Sequence, residues 1–288
     1  MPARARLLMC PPDHFDVSYI INPWMQGHLG EADAARARRQ WQTLRDTLAT
    51  LAEIECQAPV AGLPDLVFTA NAGLLLGNLF VPSRFLHAER RGEEAHDEAW
   101  FQAHGYTLRA LPAGVAFEGA GDALFDRAEP RLWFGHGHRS GDAAAAPLQA
   151  LLGVEVVPLR LVDPRFYHLD TCFCPLAGGD LLYYPAAFDD AGRAAIAAHV
   201  PAHRRIAVGE EDALAFACNA MNVDAHVVLN RASPALRERL RAAGYSTIEV
   251  DVSEFLKAGG AVKCLSLRLD ETLPAPASAR IEAPAATA

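Results

Sequence analysis

The sequence predicts an α/β fold with pseudo-fivefold repeats. Five segments carry helical periodicity, and each is followed within a few residues by a short β-rich run. The resulting strand–helix–strand units recur at a spacing of about 45–55 residues, near the range where internal repeats mark propellers or arrays. Similarity between the units is faint, so an irregular α+β domain is the alternative on pattern alone.

The elements follow in order. The longest helix is expected over residues 31–52, where Trp41, Leu44, Leu48 and Leu51 fall on one stripe. The other helices are expected over 93–104, 142–152, 189–199 and 234–243. Their following β-rich runs are 54–56, 106–108, 154–157, 205–208 and 248–250. Between the units lie further strands at 66–68, 74–81, 123–125, 132–134, 181–184, 227–229 and 262–269, and a first strand runs into the loop at Pro11 and Pro12. This reads as one domain over 1–273. Residues 274–288, PAPASARIEAPAATA, have no periodicity and are expected to be a disordered tail.

Composition bounds the function classes. With 51% hydrophobic and 21% charged residues, the 288-residue chain has enough apolar mass for a sizeable core. A net charge of −9 without any basic run argues against nucleic acid as a partner. No apolar stretch approaches the ~20 residues that span a bilayer, and MPARARLLMCPPDHF lacks the longer apolar region and cleavage site of a signal peptide. A cytoplasmic location follows, with the six scattered cysteines free rather than paired. Cys172 and Cys174, close after His168, invite a metal reading, but their one-residue spacing is shorter than the two to four usual for zinc. No metal and no cofactor is expected.

Four segments look unlike pure scaffold. DLVFTANAG places Asp65 and Asn71 at the two ends of an apolar strand, although polar residues in strand-end turns are common. FEGAGDALF sets Glu118 and Asp122 around a glycine-rich loop; converging carboxylates suit a cationic ligand, and a solvated turn is the plain alternative. YHLDT places His168 and Asp170 two apart on an expected strand, where they would share a face and could do acid/base work. KAGGAVKCLSL runs two glycines into a strand bearing Cys264; a buried inert thiol is the plain reading, and room for a ligand beside a nucleophile is the functional one.

Together DLVFTANAG, FEGAGDALF, YHLDTCFCPL, ACNAMNV and GGAVKCLSLRL resemble the pentein superfamily of guanidine-modifying enzymes, up to about Leu269. The resemblance is strongest to its arginine dihydrolase branch; the extra C-terminal domain of some bacterial members is not expected here. It implies a five-bladed α/β propeller with a central active site. It implies Cys264 as nucleophile and His168 as general acid/base. Glu118 and Asp170 would grip the guanidinium, with Asp122 a partner in the same motif. Arg139 and Arg90 would hold the substrate carboxylate, Asn22 would line the pocket mouth, and Asp65 joins the substrate-binding set. Asn71 stands where deiminases and dimethylargininases carry aspartate, and Asp170 departs from dimethylargininases too.

The chemistry fits these residue types. A guanidinium is a poor electrophile, so carboxylates must localise its charge and hold its carbon over a strong nucleophile. An amide such as Asn71 can both donate to and accept from a neutral ureido group, which a carboxylate cannot. The expected function is arginine dihydrolase, a cysteine-dependent hydrolase acting on a small guanidino substrate. Alternatives are a dimethylarginine dimethylaminohydrolase, an arginine deiminase, an amidinotransferase, or a guanidino-binding protein with inert Cys264 and His168. A homo-oligomer is compatible with the sequence.

Overall fold

The computed structural model describes residues 4–274, so nearly all of the expected tail at 274–288 lies outside the described residues. Fifteen strands among them form five separate three-stranded sheets. The first sheet holds β1 (Ala5–Met9), β2 (Ala52–Cys56) and, from the other end of the chain, β15 (Leu267–Arg268). The others are β3 (Gly73–Leu76), β4 (Leu79–Pro82) and β5 (Thr107–Leu108); β6 (Ala123–Phe125), β7 (Arg131–His136) and β8 (Glu155–Arg160); β9 (Phe173–Pro175), β10 (Leu181–Tyr183) and β11 (Arg205–Ala207); and β12 (Met221–Val223), β13 (His226–Leu229) and β14 (Ser246–Glu249).

Every sheet follows one rule. A central strand pairs antiparallel with one neighbour and parallel with the other. The parallel step needs a crossover, and a helix supplies it each time. These are α1 (Ala34–Leu51), α2 (Arg91–Ala103), α3 (Ala145–Leu152), α4 (Asp190–His199) and, after the short α5 (Glu210–Leu214), α6 (Pro234–Ala242). The four-residue α7 (Ser253–Leu256) follows β14. In the first sheet the antiparallel partner is β15, in register Leu7 with Arg268 and Leu8 with Leu267, so the last strand closes onto the first. Five similar sheets fit the expected pseudo-fivefold repeat.

Local chemistry sets the helix limits. Asp33 caps α1 by accepting from Arg36 N, and the stripe Trp41, Leu44 and Leu48 is buried against the first sheet. Each such side chain contributes about 1.5–3 kcal/mol on burial. Ser233 and Asp189 cap α6 and α4 in the same way, and Pro234 occupies the first turn of α6.

Three strand expectations fail in the same manner. Residues 66–68 are not a strand; Pro64–Val67 and Thr69–Asn71 are two successive 3-10 turns. His168 and Asp170 flank and enter another, Leu169–Thr171. Of 262–269 only Leu267–Arg268 is strand, and Cys264 sits in a turn before it. Apolar residues dominate 66–68 and recur through the other two segments, and a short run of this kind cannot separate strand from turn. Among the described residues, no helix is long and apolar enough to cross a membrane.

Candidate active site

The repeat builds the site. In each sheet the antiparallel strand β3, β6, β9, β12 or β15 is entered through a tight turn, and each turn carries one or two polar side chains: Asn71, Glu118, His168 with Asp170, Asn219 and Cys264. Hydrogen bonds join the five turns into a closed ring. Ala70 N donates to Cys264 O at 3.1 Å. Asn71 Nδ2 donates to Glu118 O at 3.2 Å. Glu118 Oε2 lies 2.7 Å from His168 Nε2, and Leu169 N donates to Asp122 Oδ1 at 3.1 Å. Asn219 Nδ2 donates to Asp170 O at 3.0 Å, and Cys264 N donates to Asn219 Oδ1 at 3.2 Å.

Two ionic groupings line this ring. Glu118 Oε2 also accepts from Arg139 Nη1 at 3.0 Å. Burial opposes its charge, but the Arg139 guanidinium and the His168 ring hold the Glu118 carboxyl well below the usual carboxylate range. In the second grouping Cys264 Sγ lies 3.4 Å from Asp170 Oδ2 and 3.1 Å from Asn219 Nδ2. Burial pushes the Asp170 carboxyl up to about 6, and the charge of Lys263 only partly offsets this. Burial, then the Asp170 charge, raise the Cys264 thiol well above its ordinary value. The resting pair is a thiol donating to a buried carboxylate, a site that gains by taking in a cation.

The expected residues divide into those that meet in the ring and those spent on internal contacts. Asn71, Glu118, His168, Asp170 and Cys264 come together. His168 and Asp170 do not share a face: the imidazole turns to Glu118 and the carboxylate to Cys264. Asp122 is committed beneath the ring, where its carboxylate accepts from Ser140 N, Ser140 Oγ and Leu169 N. Asn22 is a turn cap that accepts from Trp24 N and Met25 N and donates to Ala258 O, so its amide is not open to a pocket mouth. Arg90 is buried and bound to Glu93, Asn71 and the Asp65 backbone, so a direct grip on a substrate carboxylate is not its state here. Asp65 accepts from Tyr19 Oη, while its Oδ1 is buried with no hydrogen-bond partner. Burial raises its pKa against the pull of Arg90, whose Nε lies 3.8 Å from Asp65 Oδ2. Arg139 lies over the Tyr167 ring at 4.6 Å and donates to Ile21 O.

Glycines pay a steric role here different from the one expected. A Cβ on Gly260 would lie 2.3 Å from the Phe68 ring, and one on Gly259 (φ +84°) 2.8 Å from Tyr167 Oη, so these two glycines admit protein side chains rather than a ligand. Gly121 matters more directly, because a Cβ there would lie 2.3 Å from Asn71 Nδ2 and 3.4 Å from the His168 ring.

Sequence reasoning missed Asn219. It is fully buried, and its Oδ1 accepts from Ala261 N, Lys263 N and Cys264 N at 3.1–3.2 Å. The available signal was the repeat itself: Asn219-Ala220 stands before β12 as Asn71-Ala72 stands before β3. Among the described residues no cluster of His, Cys, Asp and Glu has the makeup of a metal site.

Comparisons with known proteins agree with this geometry. A family profile described as N,N dimethylarginine dimethylhydrolase, eukaryotic, matches residues 36–269. The chain is 53% identical over 271 residues to the bifunctional arginine dihydrolase/ornithine cyclodeaminase AgrE of Nostoc sp., covering 94% of this chain and 38% of that protein. It is 40% identical over 269 residues to an N(G),N(G)-dimethylarginine dimethylaminohydrolase of Mycobacterium tuberculosis, covering 93% of this chain and 87% of that one. The crystal structure of the N-terminal domain of ArgZ, a cyanobacterial arginine dihydrolase, as a C264S mutant bound to substrate, superposes with a TM-score of 0.92 at 51% identity, covering 93% of this chain and 99% of that one. An N71S form of the same domain, with a TM-score of 0.93 at 52% identity over 94% of this chain and all of that one, is covalently bound to a reaction intermediate. The chain thus spans under two fifths of the length of the bifunctional relative.

Proposed function

This chain belongs to the dimethylarginine dimethylaminohydrolase family of the pentein superfamily, and within it we propose a cysteine-dependent arginine dihydrolase that converts arginine to ornithine, carbon dioxide and ammonia. The observation that carries this reading is the Asn71 amide, fixed in one orientation beside Glu118 and His168. Arginine groups only donate and carbonyls only accept, so the contacts to Arg90 and Glu118 O assign Oδ1 and Nδ2 chemically. The second Nδ2 hydrogen, which has no partner among the hydrogen bonds of Asn71, suits the carbonyl oxygen of a neutral ureido intermediate. The 53% identity to AgrE supports the same choice.

In this reading the five sheets are blades of a propeller, the ring of turns lies at its axis, and residues 4–273 form one catalytic domain. The substrate guanidinium enters between Asp170 and Glu118, with its carbon over Cys264. The cation offsets the buried carboxylates and favours the thiolate. Cys264 Sγ bonds to the guanidino carbon, and a terminal amine leaves as ammonia with a proton delivered by His168. His168 then takes a proton from water, whose oxygen bonds to the carbon as the C–S bond breaks, giving citrulline. In the second cycle Sγ attacks the ureido carbon, the remaining terminal amine leaves as ammonia, and water releases a carbamate that falls to ornithine and carbon dioxide. The unpartnered Asp65 Oδ1 suits the substrate ammonium. All six cysteines are free, which supports a reducing, cytoplasmic setting.

A second reading, release of dimethylamine from dimethylarginine by the same cysteine, is favoured by the 40% identity to the M. tuberculosis enzyme. The test of the shared core is Cys264→Ser, expected to bind arginine and lose nearly all turnover, while serine at each of the other five cysteines leaves most of it. Substantial turnover by Cys264→Ser would overturn the assignment.

A further inference from the structure

We propose that Glu93 is a positioning residue for the second hydrolysis, acting through Arg90 on the Asn71 amide; the inference rests on the dihydrolase reading. Glu93 lies in the first turn of α2, outside the ring, and is 2% exposed. Its two carboxylate oxygens take Arg90 Nε at 2.8 Å and Nη2 at 2.7 Å, the two parallel bonds of a fork. A guanidinium is planar and rigid, so fixing two of its nitrogens fixes the third. The third, Nη1, donates to Asn71 Oδ1 at 2.9 Å. The Phe85 ring, 4.4 Å from Arg90 Cζ, keeps the plane from tipping.

The consequence is chemical. With Oδ1 held by Arg90 and one Nδ2 hydrogen held by Glu118 O, the amide is locked and only its second Nδ2 hydrogen is left over. An unlocked amide can turn end for end. The first attack tolerates that, because a carbonyl accepts from a cationic guanidinium as well as any acceptor does. The second does not, because the ureido oxygen of citrulline needs a donor. Loosening the lock therefore penalises retention of citrulline more than consumption of arginine.

The test is the citrulline-to-ornithine product ratio from labelled arginine. Glu93→Gln keeps the shape but loses the charged fork, and should raise the ratio on the order of tenfold, with a smaller fall in arginine consumption. In an Asn71→Ser background Glu93→Gln should raise it no further, since its effect passes through the amide. A folded Glu93→Gln protein with the wild-type ratio overturns the proposal, as does an equal rise in the Asn71→Ser background. Should Glu93→Gln fail to fold, Arg90→Lys carries the test: it keeps the charge opposite Glu93 but has no second arm for Asn71, and an unchanged ratio contradicts the relay. A wild type that stops at citrulline overturns the dihydrolase reading itself, and this inference with it.

Discussion

Asn219 donates its amide Nδ2 to the Cys264 sulfur at 3.1 Å, while its Oδ1 collects three backbone N–H groups from the turn that carries that sulfur. One side chain thus shapes the turn and supplies a donor to the thiolate when it forms. Asn219→Ala leaves the Ala261 and Cys264 N–H groups short of an acceptor, at about 1–3 kcal/mol for each one left unsatisfied, while Lys263 N keeps the carbonyl of residue 219. Melting temperature should fall, and the pH midpoint for alkylation of Cys264 by iodoacetamide, read by mass spectrometry of its peptide, should rise. A midpoint that stays or drops would remove Asn219 from the thiolate's support.

Asp170 acts on the same sulfur with the opposite sign. Its charge, after burial, is what raises the Cys264 thiol, so Asp170→Asn should lower the alkylation midpoint of the free protein. The same change should cost several orders of magnitude in arginine turnover, because one arm of the cation clamp is gone. Easier alkylation with lost catalysis is the expected pair. Turnover near wild type contradicts the clamp.

Asn71→Asp places a carboxylate oxygen where Nδ2 now lies 3.2 Å from Glu118 O. Two acceptors would face each other, and the donor for the ureido oxygen would be gone. Citrulline should escape: a loss of about 1.4 kcal/mol in its retention already changes release tenfold. The citrulline-to-ornithine ratio against wild type is the readout, and an unchanged ratio denies Asn71 its part.

Gly121→Ala tests the packing under the ring. The new methyl would lie 2.3 Å from Asn71 Nδ2 and 3.4 Å from the His168 ring. Overpacking of this kind costs about 1–3 kcal/mol, so thermal melting should drop while the fold survives, and citrulline should leak as in Asn71→Asp. A variant with wild-type melting and product ratio would mean that the turn yields freely.

Much of this was legible in the sequence, and the gaps have physical causes. The five crossover helices were readable because each buries one stripe. Asn71, Glu118, His168, Asp170 and Cys264 stood out as polar groups in apolar runs. Their setting in turns was hidden, because buried residues such as 66–68, Val262 and Leu265 are apolar under any backbone. The resemblance assigned Arg90 to the substrate carboxylate; its partner Glu93 lies three residues on, a spacing common to exposed helix pairs, and nothing in the sequence marks the pair as buried. The protein contacts of Asn22 and Asp122 were not legible, because a side chain that caps a turn and one that grips a ligand look alike in sequence.

The central claim is that one site attacks the same carbon twice. Arginine labelled at the guanidino carbon, followed with ammonia, citrulline, ornithine and carbon dioxide counted together, tests it most directly. Two ammonia and one labelled carbon dioxide are expected for each ornithine, with little free citrulline, and loss of all products in Cys264→Ser. Labelled citrulline accumulating with one ammonia per arginine, or intact arginine beside dimethylamine released from dimethylarginine, would contradict it.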